Sequence, residues 1–218
     1  MILIDNINIL KSAYPNLWNR LKSLEDAMNT SSINIEETRR GDKTIWIEKD
    51  GKKLYLHSKY NPIREAEAII AEYEEIESDT TVIFYGTGLG YHIDLFLQKY
   101  PDVDYYIYEP IPELLYTYLS HNSLRKLPSL KMKDLILADN EIEARKFFNQ
   151  LIDRASGKYI HVVLSSHKNI FPEEYERFLE SFKGTLKDKK SHIGVNLAFQ
   201  ERWILNSMKN FKEVLNTP

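Results

Sequence analysis

Apolar positions along the chain begin with a helical period. Leu17, Leu21 and Leu24 share a face with Trp18 beside it, which predicts one lead-in helix within residues 1 to about 30, ended by the polar run Asn29 to Ser32. The period then changes to two. Ile45 and Ile47 alternate with Trp46 and Glu48, Leu54 and Leu56 alternate with Tyr55, and Asp50-Gly51 between them is a hairpin signal because both turn residues accept positive φ. A helix should open at Asn61-Pro62, where Asn caps a free amide and Pro at the first helical position loses no bond, with Ala66, Ile69, Ile70, Tyr73 and Ile76 on one face. Strands follow at 81–85, 104–108, 134–138 and 160–164, alternating with helices at 91–99, 112–120, 141–153 and 172–186. From about Val195, Leu197, Ile204, Met208, Phe211 and Leu215 predict a long amphipathic C-terminal helix.

Strands alternating with helices of this length indicate parallel β/α units with right-handed crossovers. The expected fold class is therefore α/β: a Rossmann-like, doubly wound, mostly parallel sheet, preceded by a helix and a small antiparallel β unit and followed by the long helix. The segment Val82 to Pro110 carries its chemistry. An apolar run enters a turn with Gly86, Gly88 and Gly90, a short helix follows, and a second apolar run ends on Glu109, the layout of a nucleotide-binding half-fold. The spacing is G-x-G-x-G, with Tyr91 where the dinucleotide fingerprint has its third glycine, so the turn is more similar to S-adenosylmethionine-binding folds than to NAD or FAD sites. That resemblance implies ribose hydroxyls on Glu109 and adenine near Asp139, although Phe84 stands where those enzymes commonly carry an acid. The favoured reading of the turn is an inherited scaffold whose glycines only make the bend, with a nucleotide-like ligand the alternative. A working site needs an open pocket above the strand ends; Tyr91 or Tyr60 folded over the glycines would close it.

His92 lies beside the turn at a helix start, where a first-turn surface histidine is the expected reading and contact with a phosphate or carboxylate the alternative. Tyr60, Asn61, Arg64 and Glu65 precede the first parallel strand and are candidates to cap the crevice. The six histidines form no H-x-x-x-H or H-E-x-x-H pair, so no metal site is expected. Ser165-Ser166-His167 follows a strand, and sequence neighbours make no relay without a third orienting group, so this run is expected to be loop. No residue reads as catalytic. A net charge of -3 with interspersed signs gives no footprint for nucleic acid, and the absence of cysteine suits a reducing compartment. No leader or membrane span is apparent, and the expected location is cytoplasmic.

Three motifs together carry a more specific resemblance: L-H-S-K-Y-N-P-I-R-E-A-E (Leu56 to Glu67), F-Y-G-T-G-L-G-Y-H (Phe84 to His92) and Y-I-Y-E-P (Tyr106 to Pro110). They resemble the N-terminal region of the motility accessory factor (Maf) family of flagellin glycosyltransferases. The tail Asn196 to Asn210 looks like the helix leading into that family's central domain. The resemblance implies three parts: 1–58, an N-terminal helix and β-hairpin subdomain; 59–190, a Rossmann-like domain; and 191–218, a linker helix. It implies a transferase of nonulosonic acids from CMP-activated donors to flagellin Ser/Thr, whose central domain would begin after Pro218. This portion would then be a non-catalytic accessory domain with flagellin and the central transferase domain as partners. S-adenosylmethionine or a CMP-sugar is a possible ligand of the turn and neither is required; a methyltransferase-like or nucleotide-sugar-binding domain is the alternative.

Overall fold

The computed structural model describes residues 1–190 other than 74, 78 and 155–157. The apolar stripe Leu197, Ile204, Met208, Phe211 and Leu215 lies outside the described residues. In chain order the elements are α1 (Ile4–Ala13), α2 (Pro15–Leu24), β1 (Ile33–Glu37), β2 (Lys43–Lys49), β3 (Lys52–Tyr55), α3 (Pro62–Ala71), β4 (Thr80–Tyr85), α4 (Tyr91–Lys99), β5 (Asp104–Glu109), α5 (Pro112–His121), β6 (Met132–Leu137), α6 (Glu141–Asp153), β7 (Lys158–Val163), α7 (Ser165–Ile170) and α8 (Pro172–Lys190). β4 to β7 form an all-parallel sheet in the order β6-β5-β4-β7, and β1 to β3 form an antiparallel sheet.

Three elements differ from the sequence reading. The lead-in helix is two helices, α1 and α2, because Pro15 restricts the residue before it: Tyr14 takes φ -131°, ψ 54° and breaks the run. The helix capped by Asn61 stops at Ala71 and does not continue through Tyr73 and Ile76. There the Tyr73 carbonyl accepts from the Tyr100 hydroxyl at 2.6 Å, and the Tyr73 hydroxyl donates to the His161 carbonyl at 2.9 Å. Tertiary bonds at Tyr73 hold the chain out of helical register. Third, Ser165 to His167 open the short helix α7, seated by the Leu164 carbonyl accepting from the His167 amide at 2.9 Å.

Both faces of the parallel sheet are covered. Val82, Phe84, Tyr105 and Ile107 pack with α1, α2, α4 and α5 on one side, and Ile83, Tyr85, Tyr106 and Tyr108 with Phe147, Phe148, Phe178 and Phe182 of α6 and α8 on the other. This is the doubly wound arrangement, and it explains why β4 is buried along its whole length. β2 and β3 turn through Asp50 (φ 53°) and Gly51 (φ 70°), both left-handed as a two-residue hairpin of this hand requires. The antiparallel sheet then lays its apolar face, Ile45, Ile47 and Leu56, on Leu89, Leu164 and Ile170 at the carboxyl ends of the parallel strands. A small second sheet thereby roofs the end of the fold where open α/β sheets bind ligands.

Candidate functional site

β4 is the strand at which the winding reverses. β5 flanks it on one side and β7 on the other, so the switch-point crevice lies above Tyr85 and Val163. The turn after β4 bends through left-handed glycines, and the protein's own side chains lie against them. A Cβ on Gly86 (φ 82°) would stand 2.8 Å from the His167 ring, and one on Gly88 (φ 48°) would run into His57 Nε2. Gly90 lies under Tyr118. The glycines allow the close approach of residues in this chain.

Glu109, at the end of β5, is fully buried and accepts four hydrogen bonds. Oε2 takes the Thr87 amide at 2.7 Å and the Thr87 hydroxyl at 2.8 Å; Oε1 takes the Ile111 amide at 3.0 Å and His167 Nε2 at 2.8 Å. An ionised carboxylate has about four lone-pair sites, so these donors saturate it. His167 donates through Nε2, and its Nδ1 is buried without a hydrogen-bond partner among the described residues. The ring stands edge-on to Tyr85, 5.3 Å between centroids, and the Tyr85 hydroxyl is likewise buried with no hydrogen-bond partner among the described residues. Burial, with Glu109 and Tyr108 nearby, holds that hydroxyl far above the usual phenol range.

His57 closes the turn from the small sheet. Its Nε2 accepts from the Leu89 amide at 2.7 Å, which places the ring proton on Nδ1, facing Glu65 Oε2 at 3.6 Å. The same Glu65 oxygen accepts the Ser58 amide at 2.9 Å, and the Thr44 hydroxyl donates to the His57 carbonyl at 2.7 Å. Ser166 of α7 donates to the Leu56 carbonyl, so α7 and the roof are bonded to each other above the turn. His92, in the first turn of α4, is not the surface histidine the sequence suggests: it is fully buried, and neither ring nitrogen has a hydrogen-bond partner among the described residues. Burial first, and the neighbouring His57 second, push its pKa down to about 3, against a weaker opposing effect of the Gly86 carbonyl.

The structure thus brings Gly86, Gly88, Gly90, His92 and Glu109 together at one turn. Asp139 stands apart at the end of β6, where its carboxylate pairs with Arg20 of α2; Arg20 also reaches Glu143 at 2.9 Å. Of the four capping candidates, Glu65 faces His57 Nδ1 at 3.6 Å. Asn61 instead caps α3 by accepting the Arg64 amide at 3.0 Å. Tyr60 is 63% exposed, with Lys59 over its ring. Tyr91 bonds through its hydroxyl to the Lys43 carbonyl at 2.8 Å and packs edge-on against His57. The residues against the glycines are therefore His57, His167 and Tyr118, which the sequence reading did not select. For His167 the signal was present in S-S-H after a strand; its orienting third group, Glu109, lies 58 residues away. Among the described residues no group of three His, Cys, Asp or Glu side chains is arranged to hold a metal ion, and no helix is long and apolar enough to cross a membrane.

Residues 19–121 match the family described as the glycosyltransferase Maf N-terminal domain. The matched stretch, just under half of the chain, runs from α2 to the end of α5 and includes the roof, the glycine turn and Glu109. All three motifs that carried the resemblance fall inside it. No curated protein and no solved structure matches the chain.

Proposed function

We propose that this chain, whose residues 19–121 carry a Maf-type N-terminal domain, is a non-catalytic module that docks the flagellin acceptor or the transferase core of a glycosyltransferase. The observation that carries the reading is the saturation of Glu109. In a nucleotide-binding half-fold the acid ending the second strand faces ribose hydroxyls; here all four of its acceptor sites are taken by Thr87, Ile111 and His167. The Leu89 amide before α4, which a bound anion would engage, is held by His57. These contacts make the switch point a rigid joint between the two sheets. A rigid joint suits a platform that presents outer surfaces at fixed angles.

The alternative readings, a methyltransferase-like or nucleotide-sugar-binding domain, need His57 and His167 to swing away together. Thermal-shift titration with S-adenosylmethionine, CMP, CMP-sialic acid and NAD separates them from the docking role. A ligand at one hundred times its dissociation constant adds about 2.7 kcal/mol to stability. The expected result is no shift with any of the four, together with saturable binding of purified flagellin by calorimetry. A shift abolished by Glu109→Ala would overturn the non-catalytic reading, and failure to bind flagellin at about 100 μM would overturn acceptor recognition.

A further inference from the structure

The small sheet is bonded to the strand ends in two chemically different ways. Ser166 Oγ donates to the Leu56 carbonyl, and Lys49 Nζ donates to the Ile170 carbonyl at 3.3 Å. The Tyr91 hydroxyl donates to the Lys43 carbonyl at 2.8 Å and accepts the Lys43 amide at 3.1 Å. Carbonyl and phenol oxygens keep their lone pairs throughout the neutral and mildly acid range. The 2.7 Å bond from the Leu89 amide ends instead on His57 Nε2, an imidazole lone pair that a proton consumes.

The geometry gives a protonated ring no way to keep this bond. Nδ1 already carries a proton, so a second one goes to Nε2, where it meets the Leu89 N–H head on. Turning the ring over exchanges two nitrogens that are then both donors. The side chain is 1% exposed and Gly88 packs directly against Nε2, which leaves the two donors facing each other. The groups around the ring come from four elements. α3 presents Glu65, whose Oε2 is 3.6 Å from Nδ1. α4 presents Tyr91, edge-on at 5.2 Å with its hydroxyl held above the usual phenol range by burial, and His92, which stays uncharged because burial and its neighbours lower it to about 3. α7 brings His167 against Gly86, bonded to Glu109, and β2 brings the neutral Thr44 hydroxyl to the His57 carbonyl. Glu65 is therefore the carboxylate that faces the ring, on the side away from Leu89, and it attracts the ring's positive form.

We infer that His57 is a proton-sensitive latch: a proton taken up on Nε2 releases the Leu89 amide and frees the glycine turn from the small sheet. The bonds of Ser166, Lys49 and Tyr91 and the apolar contacts of Ile45, Ile47 and Leu56 do not depend on that proton, so the sheet stays seated while the turn beneath it loosens. The joint is stiff with the ring neutral and slack with the ring charged. This is a two-state element with a named proton site, the form a histidine switch takes. It concerns the joint and not what the module binds, so the latch and the docking role proposed above can fail separately.

The test is amide hydrogen exchange of the full chain, read residue by residue by NMR and corrected for the intrinsic effect of pH. Between about pH 7 and about pH 5 the protection of the Leu89 amide should fall at least about tenfold, while that of Ile107 in the central sheet holds. The imidazole nitrogen spectrum of His57 should titrate over the same range. His57→Gln offers the same amide a carbonyl oxygen and takes up no proton, so its Leu89 protection should not depend on pH. Glu65→Gln removes the carboxylate that attracts the charged ring and should move the fall to lower pH, which keeps the test open where His57→Gln does not fold. Leu89 protection that holds as His57 titrates, a His57 ring that stays neutral until the chain unfolds, a fall that persists in His57→Gln, or a midpoint unmoved by Glu65→Gln would each overturn the latch. None of these readouts uses flagellin, so failure of the docking role leaves them untouched.

Discussion

His167 Nε2 and Glu109 Oε1 meet at 2.8 Å, with both side chains fully buried. The two residues leave the ends of β7 and β5, the strands on either side of β4, so the bond spans the turn that β4 feeds. Gly86 lies beneath it, and its missing side chain is the space the imidazole fills.

Glu109→Gln keeps the shape of this bond network and spoils its polarity. One of the two oxygens becomes an amide donor facing donors, so buried N–H groups lose their acceptor. The unfolding free energy should fall by about 2–3 kcal/mol, measured by urea denaturation. A change within 0.5 kcal/mol, roughly the scatter of neutral surface substitutions, would show that the carboxylate is not held as described.

Gly86→Ala meets two penalties. A left-handed φ costs an L-residue about 1–2 kcal/mol, and the new methyl stands 2.8 Å from His167. His167→Ala removes the second penalty and leaves the first. In a double-mutant cycle, His167→Ala should therefore cost about 0.5–3 kcal/mol less in the Gly86→Ala background than in the parent, whereas strict additivity would deny the contact.

Stability should depend on pH through the buried histidines. Burial pushes His92 down to about 3, and burial together with Lys168 pushes His161 down to about 4, from an ordinary value of 6.5. Folded-state values below the unfolded one mean that the unfolded chain binds more protons between them. The stabilisation is present above about pH 6.5 and is lost as pH falls toward 4 and then 3, at up to about 1.4 kcal/mol per pH unit for each ring. His92→Phe should flatten the slope of unfolding free energy between pH 6 and 4 by about one proton; an unchanged slope would rule out His92 as its source.

Asn61→Ala removes the oxygen that accepts the Arg64 amide at the start of α3. The expected loss is about 1 kcal/mol, with ligand and partner binding unchanged, because Asn61 acts on its own helix. A large change in binding with no change in stability would return it to the crevice.

Much of this architecture was legible along the chain. All four parallel strands, the hairpin at Asp50-Gly51 and the cap at Asn61-Pro62 answer to alternation, turn chemistry and capping, which act over a few neighbouring residues. The glycine turn and Glu109 were legible for the same reason, as a strand, a bend and a second strand in succession. Pro15 also carried a local signal, the break between α1 and α2, which the run of leucines masked.

What no local pattern could yield is what lies against the turn. His57 reaches Leu89 across 32 residues and His167 reaches Glu109 across 58, so both contacts exist only once the antiparallel sheet has settled over the strand ends and α7 has formed. The same holds for the end of α3, set by bonds from Tyr73 to Tyr100 and His161. Periodicity and turn preference are short-range properties of the backbone and can be read residue by residue. Whether a glycine turn faces solvent or a buried imidazole depends on how distant segments pack, and that is where the character of this site was set.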